Sequence, residues 1–280
     1  MIDLHTHSTF SDGSCSPTEL VRLASKIGLS AIALTDHNTI SGLEEFKKAG
    51  KEYNIETISG IEFSTETNNE DFHIIALFVK SEYYNSIENF VITAIDNKIK
   101  SNKILVNNLN HAGFDISYEQ IVNNNGTENF NRVAIANKLM EKGYVQSIKE
   151  AFNGLLHEKT GCYIPPKRLD TYETIKFINS IGAVSVWAHP LKDTSFEKLN
   201  NLYLPKAKRF GLVAIETMHS SYTNQQIEDA TKLAMKYNLL SSGGSDFHGK
   251  NKEKIMLGTG FENNSIVSDD ILLKLKSNRQ

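Results

Sequence analysis

The stretch MIDLHTHSTFSDGSCSPTELVRLASKIGLSAIALTDHNT, residues 1–39, decides the fold. Its first seven residues form a short, largely apolar run that reads as a strand. After the SDG turn, Ser16 is placed to cap a helix, Pro17 fits the first helical position, and Glu19 completes a capping box. Leu20, Leu23, Ala24 and Ile27 then recur at helical spacing, and Gly28 ends the helix. SAIALTDHN follows as a buried strand. Strand, helix and strand in this order are the unit of an α/β fold with a largely parallel sheet.

The alternation continues outward. A second capping box is expected from Ser41 to Glu44, ahead of another helix. Further strands read as ETISGIEFS, FHIIALFV, GAVSVWAHP, LVAIETM and LLSSGGSD, with helices in TYETIKFINSIG and TNQQIEDATKLAMKYN. Seven strands are too few for a regular eight-fold barrel. They point to a distorted (β/α)7 barrel, an open sheet being the alternative. From about Ser81 to Arg168 the alternation gives way to helical text, including NRVAIANKLMEKGYV and SIKEAFNGLLHEK. The expected organisation is therefore a barrel domain of residues 1–80 and 169–280, carrying a helical insertion, residues 81–168, over the active site.

Composition sets limits on function. Among 280 residues, 40% are hydrophobic and 22% charged, an ordinary globular balance. A net charge of −3 gives no broad basic footprint, so a nucleic-acid substrate would have to be held locally. No stretch approaches the roughly 18 apolar residues of a membrane span, and no leader pattern opens the sequence. The expectation is a cytoplasmic protein with no membrane contact and no obligate protein partner. Cys15 and Cys162 lie in no CxxC pattern and read as plain thiols.

The histidines carry the chemistry. His5 and His7 end the first strand, His37 the second, and His189 a later one in WAHP; Asp246 and His248 follow the last strand in GGSDFHG. Ligands of an α/β sheet collect at the carboxyl ends of parallel strands, and residues i and i+2 of an extended segment project to one side. Glu62 lies in the third strand. His73 begins the next, and a hairpin turning near Thr67 and Asn68 would lay it roughly opposite Glu62. With Asp12 the set is His5, His7, Asp12, His37, Glu62, His73, His189, Asp246 and His248. Imidazole with carboxylate suits manganese first, with iron or zinc as alternatives, and nine donors exceed the needs of one ion. Two or three divalent ions are expected. His111, His157 and His219 fall outside the set.

HTHSTFSDGSCSP, LTDHNT, SGIEFST, FHIIALF, WAHP and GGSDFHG resemble, in order, the motifs of the polymerase and histidinol phosphatase (PHP) family of metal-dependent phosphoesterases. The resemblance implies a distorted seven-stranded barrel with a trinuclear centre. It further implies one ion on His5, His7, Glu62 and Asp246, a second on Glu62, His73 and His189, and a third on Asp12, His37 and His248. NRVAIANKLMEKGYV, AFNGL and YIPP resemble the branch whose members hydrolyse nucleoside 3′,5′-bisphosphates such as pAp, act on AMP-like monophosphates, or trim oligonucleotides from the 5′ end. Arg132 matches that branch's arginine, whereas Val133 and Ala134 stand where proline and histidine are usual.

The expected substrate is thus a small phosphorylated molecule. A hydroxide bridging two ions would be a competent nucleophile, since a metal lowers the pKa of water to about 7. Glu62, as the bridge, Asp246 and His219 form the expected catalytic set. His219 would contact the phosphate or protonate the leaving group. Arg132 and Arg168 are the candidate phosphate contacts, and Asp36 is a candidate to orient a ligand or to hold a turn. Rival readings are a histidinol-phosphate phosphatase, a metal-dependent amidohydrolase and a metal-binding protein without turnover.

Overall fold

A computed structural model gives the structure of residues 1–125, 131–160 and 162–278. The chain divides into two compact units, residues 1–88 with 169–280, and residues 89–168.

In the first unit the strands are β1 (Ile2–Asp3), β2 (Ala31–Leu34), β3 (Glu56–Thr67), β4 (Glu70–Leu77), β5 (Leu169–Asp170), β6 (Val184–Ala188), β7 (Ala214–His219) and β8 (Leu240–Gly244). They run in the order β1-β2-β3-β4-β6-β7-β8, with β5 paired to β3. All seven strands read from the sequence are present. The added β5 has two residues, too few to carry a periodic signal. Pairing is parallel except around β4, which is antiparallel to both β3 and β6. The mixed sheet curls until its ends nearly meet as a distorted α/β barrel. Leu4 N–H donates to Gly243 O (3.3 Å), Asp246 N–H to His5 O (2.9 Å) and His7 N–H to Phe247 O (2.9 Å). Gly244 is required for this closure, because a Cβ there would lie 2.5 Å from both Cβ and N of His5. Buried Asp3 fastens the same seam, accepting from the amides of Ser245 (2.9 Å) and Gly258 (2.8 Å).

Local sequence explains most of the rest. Helix α1 (Pro17–Lys26) starts with the Ser16–Glu19 capping box, and Gly28 beyond it has φ +76°. Helix α2 (Leu43–Glu52) departs from expectation: Gly42 is its N-cap and no side chain caps it. The helix begins one residue later than a Ser41–Glu44 box requires. Glu44 is engaged instead by Lys47 (3.0 Å), and the Ser41 amide donates to Thr39 Oγ1 (3.2 Å). The β3–β4 hairpin also differs. Its turn is Asn68–Asn69, with φ +53° and +59°, the left-handed pair of a two-residue loop. That register pairs His73 with Ser64 and Glu62 with Ile75. His73 is therefore diagonal to Glu62, on the same face, and not opposite it. An apolar cluster including Ile2, Leu4, Ile75, Val186 and Val267 fills the unit.

The second unit holds most of α3 (Tyr84–His111), then α4 (Tyr118–Asn125), α5 (Arg132–Glu141) and α6 (Ile148–Asn153). It has its own apolar core, with Leu105, Leu109, Ile135, Leu139 and Leu156 at its centre. No described helix in the chain is long and apolar enough to cross a membrane.

Candidate metal centre

The strands of the barrel deliver polar side chains to one rim. His5 and His7 follow β1, His37 follows β2 and pairs through its backbone with Glu62, His189 follows β6, and Asp246 and His248 follow β8. His189 and Asp246 have positive φ, +29° and +56°, in the left-handed region that disfavours side chains. Such backbone strain costs about 1–3 kcal/mol per residue and gathers at functional sites.

His5 Nε2, His7 Nε2, Glu62 Oε2 and Asp246 Oδ1 converge. His5 Nε2 lies 3.0 Å from His7 Nε2, 3.4 Å from Glu62 and 3.6 Å from Asp246, and His7 Nε2 lies 3.3 Å from each carboxylate. Four ligands at the usual metal–ligand distances would have edges of roughly 3.3–3.6 Å around a tetrahedral ion. The other oxygen of Glu62 faces a different set: Oε1 is 2.9 Å from His73 Nδ1 and 3.2 Å from His189 Nε2. A further group collects on Asp12, with Oδ1 3.2 Å from His248 Nε2 and Oδ2 3.8 Å from His37 Nε2. The groups His7–Asp12–His37–His248, His5–Glu62–His189 and His37–Glu62–His73 each present ligand atoms close enough to hold one ion. The structure thus brings together all nine residues named from the sequence.

Several of these buried atoms make no hydrogen bond: His7 Nδ1, His37 Nδ1, His73 Nδ1 and Glu62 Oε2. His37 Nδ1 and His73 Nδ1 approach the Glu62 carboxylate to 3.0 and 2.9 Å without bonding angles, and His7 Nδ1 stands 3.7 Å from Asp12 Oδ1. Buried polar atoms are otherwise almost always paired. The charges agree. Burial opposes charge on His5 and His7, but Glu216, Glu62 and Asp246 outweigh it for His5, whose pKa is well above the ordinary value. Asp246 and Glu62 likewise raise His7 to about 9. Burial also opposes the charge of Glu62, yet His73, His37 and His5 hold its carboxyl well below the usual range. Burial wins instead at His37, whose pKa is held well below the ordinary value, and at His248, which is also lowered. The rim thus combines carboxylates that draw positive charge with imidazoles that resist a proton, a nitrogen and oxygen donor set that fits divalent cations.

Outer carboxylates orient the donors. Glu216 Oε1 accepts from His5 Nδ1 (2.9 Å), and its Oε2 accepts from the His189 amide (2.7 Å). Asp193 Oδ2 accepts from His189 Nδ1 (2.9 Å). Each fixes the proton on Nδ1 and leaves Nε2 free to face the centre. Sequence reading missed both, although Asp193 stands one helical turn beyond His189 and Glu216 is an acid inside a buried strand. Lys252 was missed as well; its Nζ lies 2.6 Å from Asp246 Oδ2. Asp36 holds a turn: it accepts from the Ser8 amide (2.7 Å), Ser8 Oγ (2.6 Å) and Ser11 Oγ (2.6 Å), and so shapes the loop that carries Asp12.

His219 joins the rim, its Nε2 3.3 Å from Asp246 Oδ2. Arg132 and half-buried Arg168 belong to the second unit, where the Arg132 guanidinium lies 4.2 Å over the ring of Tyr163 and 5.1 Å over that of Phe152. His111 and His157 lie in that unit too. His111 Nδ1 is 2.8 Å from Asn107 O in its own helix, and His157 Nδ1 accepts from the Lys159 amide (3.1 Å). Cys15 and Cys162 are free thiols.

Comparison with known proteins identifies the family. The PHP domain model matches residues 3–159. A 5′-3′ exoribonuclease of Haemophilus influenzae is 31% identical over 254 residues, 88% of this chain and 89% of the relative. A phosphoribosyl 1,2-cyclic phosphate 1,2-diphosphodiesterase of Eggerthella lenta is 25% identical, over 89% of this chain and 94% of the relative. A 3′,5′-nucleoside bisphosphate phosphatase of Chromobacterium violaceum is 24% identical, over 88% and 87%. Among solved structures, one from Bifidobacterium adolescentis, assigned as a metal-dependent phosphoesterase, superposes with a TM-score of 0.88 at 26% identity, covering 100% of this chain and 96% of that one. The chain therefore belongs to the PHP domain family, as a metal-dependent hydrolase acting on phosphate esters.

Proposed function

We propose that the chain releases phosphate from small nucleotides, either the monophosphate AMP or a nucleoside 3′,5′-bisphosphate such as pAp, or trims short oligonucleotides from the 5′ end. The observation that carries the reading is the two-sided engagement of Glu62, with Oε2 3.3 Å from His7 and Oε1 2.9 Å from His73. A carboxylate so placed is suited to join two ions. In this reading His5, His7, Glu62 and Asp246 hold one ion, Glu62, His73 and His189 a second, and Asp12, His37 and His248 a third, with manganese the first choice. Divalent ions bound there supply a water whose pKa falls from 15.7 to about 7, and positive charge against the phosphoryl oxygens.

The chain's own groups prepare that chemistry. Glu216 and Asp193 hold the Nδ1 protons of His5 and His189, so both imidazoles present Nε2 lone pairs. Lys252 occupies the outer oxygen of Asp246 and leaves Oδ1 to the centre. Asp36 keeps the Asp12 loop closed.

The nucleotide part is supported by the exoribonuclease and bisphosphate phosphatase relatives. The Eggerthella lenta relative favours a cyclic phosphodiester as a second substrate class. The test is turnover, with added Mn²⁺, of pAp, AMP, histidinol phosphate, a 5′-phosphorylated short RNA and a ribose 1,2-cyclic phosphate, read chromatographically as inorganic phosphate, released mononucleotide or ring-opened monoester. Preference for pAp, AMP or the RNA is the expected result. Turnover of the cyclic ester or of histidinol phosphate alone would overturn the nucleotide assignment.

A further inference from the structure

His219 stands next to Asp246 and His5, among groups that could hold an ion, and three roles compete for it: metal ligand, proton source, or hydrogen-bond donor. Its surroundings discriminate among them. Strand β7 carries a bulge: Glu216 pairs with Ser242 and Met218 with Gly243, leaving Thr217 as the extra residue. In an unbroken strand, residues 216 and 219 would project to opposite faces. The bulge turns His219 onto the face of Glu216, so both enter the rim.

At the other side of its ring, Nδ1 accepts a hydrogen bond from the backbone amide of Ser221 (3.1 Å), and Ser221 Oγ lies 2.8 Å away. A backbone N–H can only donate. Nδ1 therefore carries a lone pair, and the proton of the neutral ring is on Nε2. That nitrogen is buried, in a residue 1% exposed; Asp246 Oδ2 lies 3.3 Å from it but outside hydrogen-bond geometry. A protonated Nε2 has no lone pair for a metal. Loss of its proton, with Nδ1 already occupied as an acceptor, would leave an imidazolate, so it is a poor proton source.

We infer that His219 is a neutral hydrogen-bond donor, its proton fixed on Nε2 by the Ser221 amide, which binds a phosphoryl oxygen of the substrate and neither ligates metal nor protonates the leaving group. The inference rests on the phosphate-ester activity of the centre. A preorganised donor of this kind acts where negative charge develops, and removing one typically costs about 10²–10³-fold in turnover.

The test compares His219→Ala and His219→Gln in the Mn²⁺-loaded protein, because a glutamine amide can place an N–H near the position of Nε2. Three quantities are read: metal per chain, inhibition by inorganic phosphate, and turnover of p-nitrophenyl phosphate and of AMP. The inference predicts unchanged metal content in both variants. Turnover should fall about 10²-fold in His219→Ala with weaker inhibition by phosphate, and His219→Gln should recover most of both on the two esters alike. Loss of metal in either variant would make His219 a ligand. A His219→Gln defect confined to AMP, whose leaving group needs a proton, would make it an acid. Full activity in His219→Ala would leave it no role. Inactivity of the parent chain on every phosphate ester would instead refute the activity itself, a separate and distinguishable failure.

Discussion

Glu62 is fully buried, and five imidazoles surround it within 3.4 Å: His5, His7, His37, His73 and His189. No single counter-charge satisfies both of its oxygens. Glu62→Gln removes the charge but keeps the shape, and His37→Asn removes one donor from the Asp12 group. Each should lower turnover by orders of magnitude and reduce metal content while far-UV circular dichroism stays unchanged; near-native activity in both at saturating Mn²⁺ would contradict the polynuclear reading. Glu216 acts one step further out. Glu216→Gln should weaken metal affinity about 10–100-fold, the usual effect of losing an outer carboxylate, as read by metal titration. Unchanged affinity would reduce Glu216 to packing. The nine candidate donors were legible in the sequence because HTH and DFH alternate on extended chain at strand ends, a pattern that survives without coordinates. Glu216 and Asp193 were not, because their role lies in which imidazole nitrogen they touch, and sequence spacing says nothing of that.

At the scale of elements, legibility followed local hydrogen bonding. Ser16, Pro17 and Glu19 form their box because all three lie within one turn, and Gly28 ends α1 in the left-handed region. The Ser41–Glu44 pattern looks the same in sequence, yet Gly42 begins α2, where a Cβ would meet Phe10, Leu34 and Pro17 at 3.0–3.2 Å. Packing against those neighbours, invisible in a local window, fixes where the helix starts. Hairpin and bulge give the same lesson for strands: Asn68–Asn69 moves the register of His73, and Thr217 turns His219 inward. In the second unit the Arg132 guanidinium lies over the rings of Tyr163 and Phe152, a cation–π placement in which lysine and arginine are not interchangeable. If Arg132 binds the substrate's phosphate, Arg132→Lys should raise KM and leave kcat nearly unchanged. A fall in kcat at constant KM would argue against a binding role.

Across the whole molecule, the fold's demand is that the ends of one sheet meet, because His5 and His7 arrive on the first strand and Asp246 and His248 on the last. The seven strands were readable one by one, but the seam depends on contacts between residues more than 200 positions apart, and only the structure shows them. Gly244 is the residue on which closure turns. Gly244→Ala should destabilise the protein by about 1–3 kcal/mol, the range for overpacking, seen as a lower urea midpoint, and should weaken metal binding through displacement of His5. An unchanged midpoint would mean that the seam yields without cost. The central claim is that this closure assembles a centre for more than one ion. Metal content per chain, measured by inductively coupled plasma mass spectrometry on Mn²⁺-loaded and dialysed protein, tests it most directly. The account predicts about two to three ions per chain in the parent and fewer in Glu62→Gln, whereas a single ion or none in the parent, with activity intact, would contradict it.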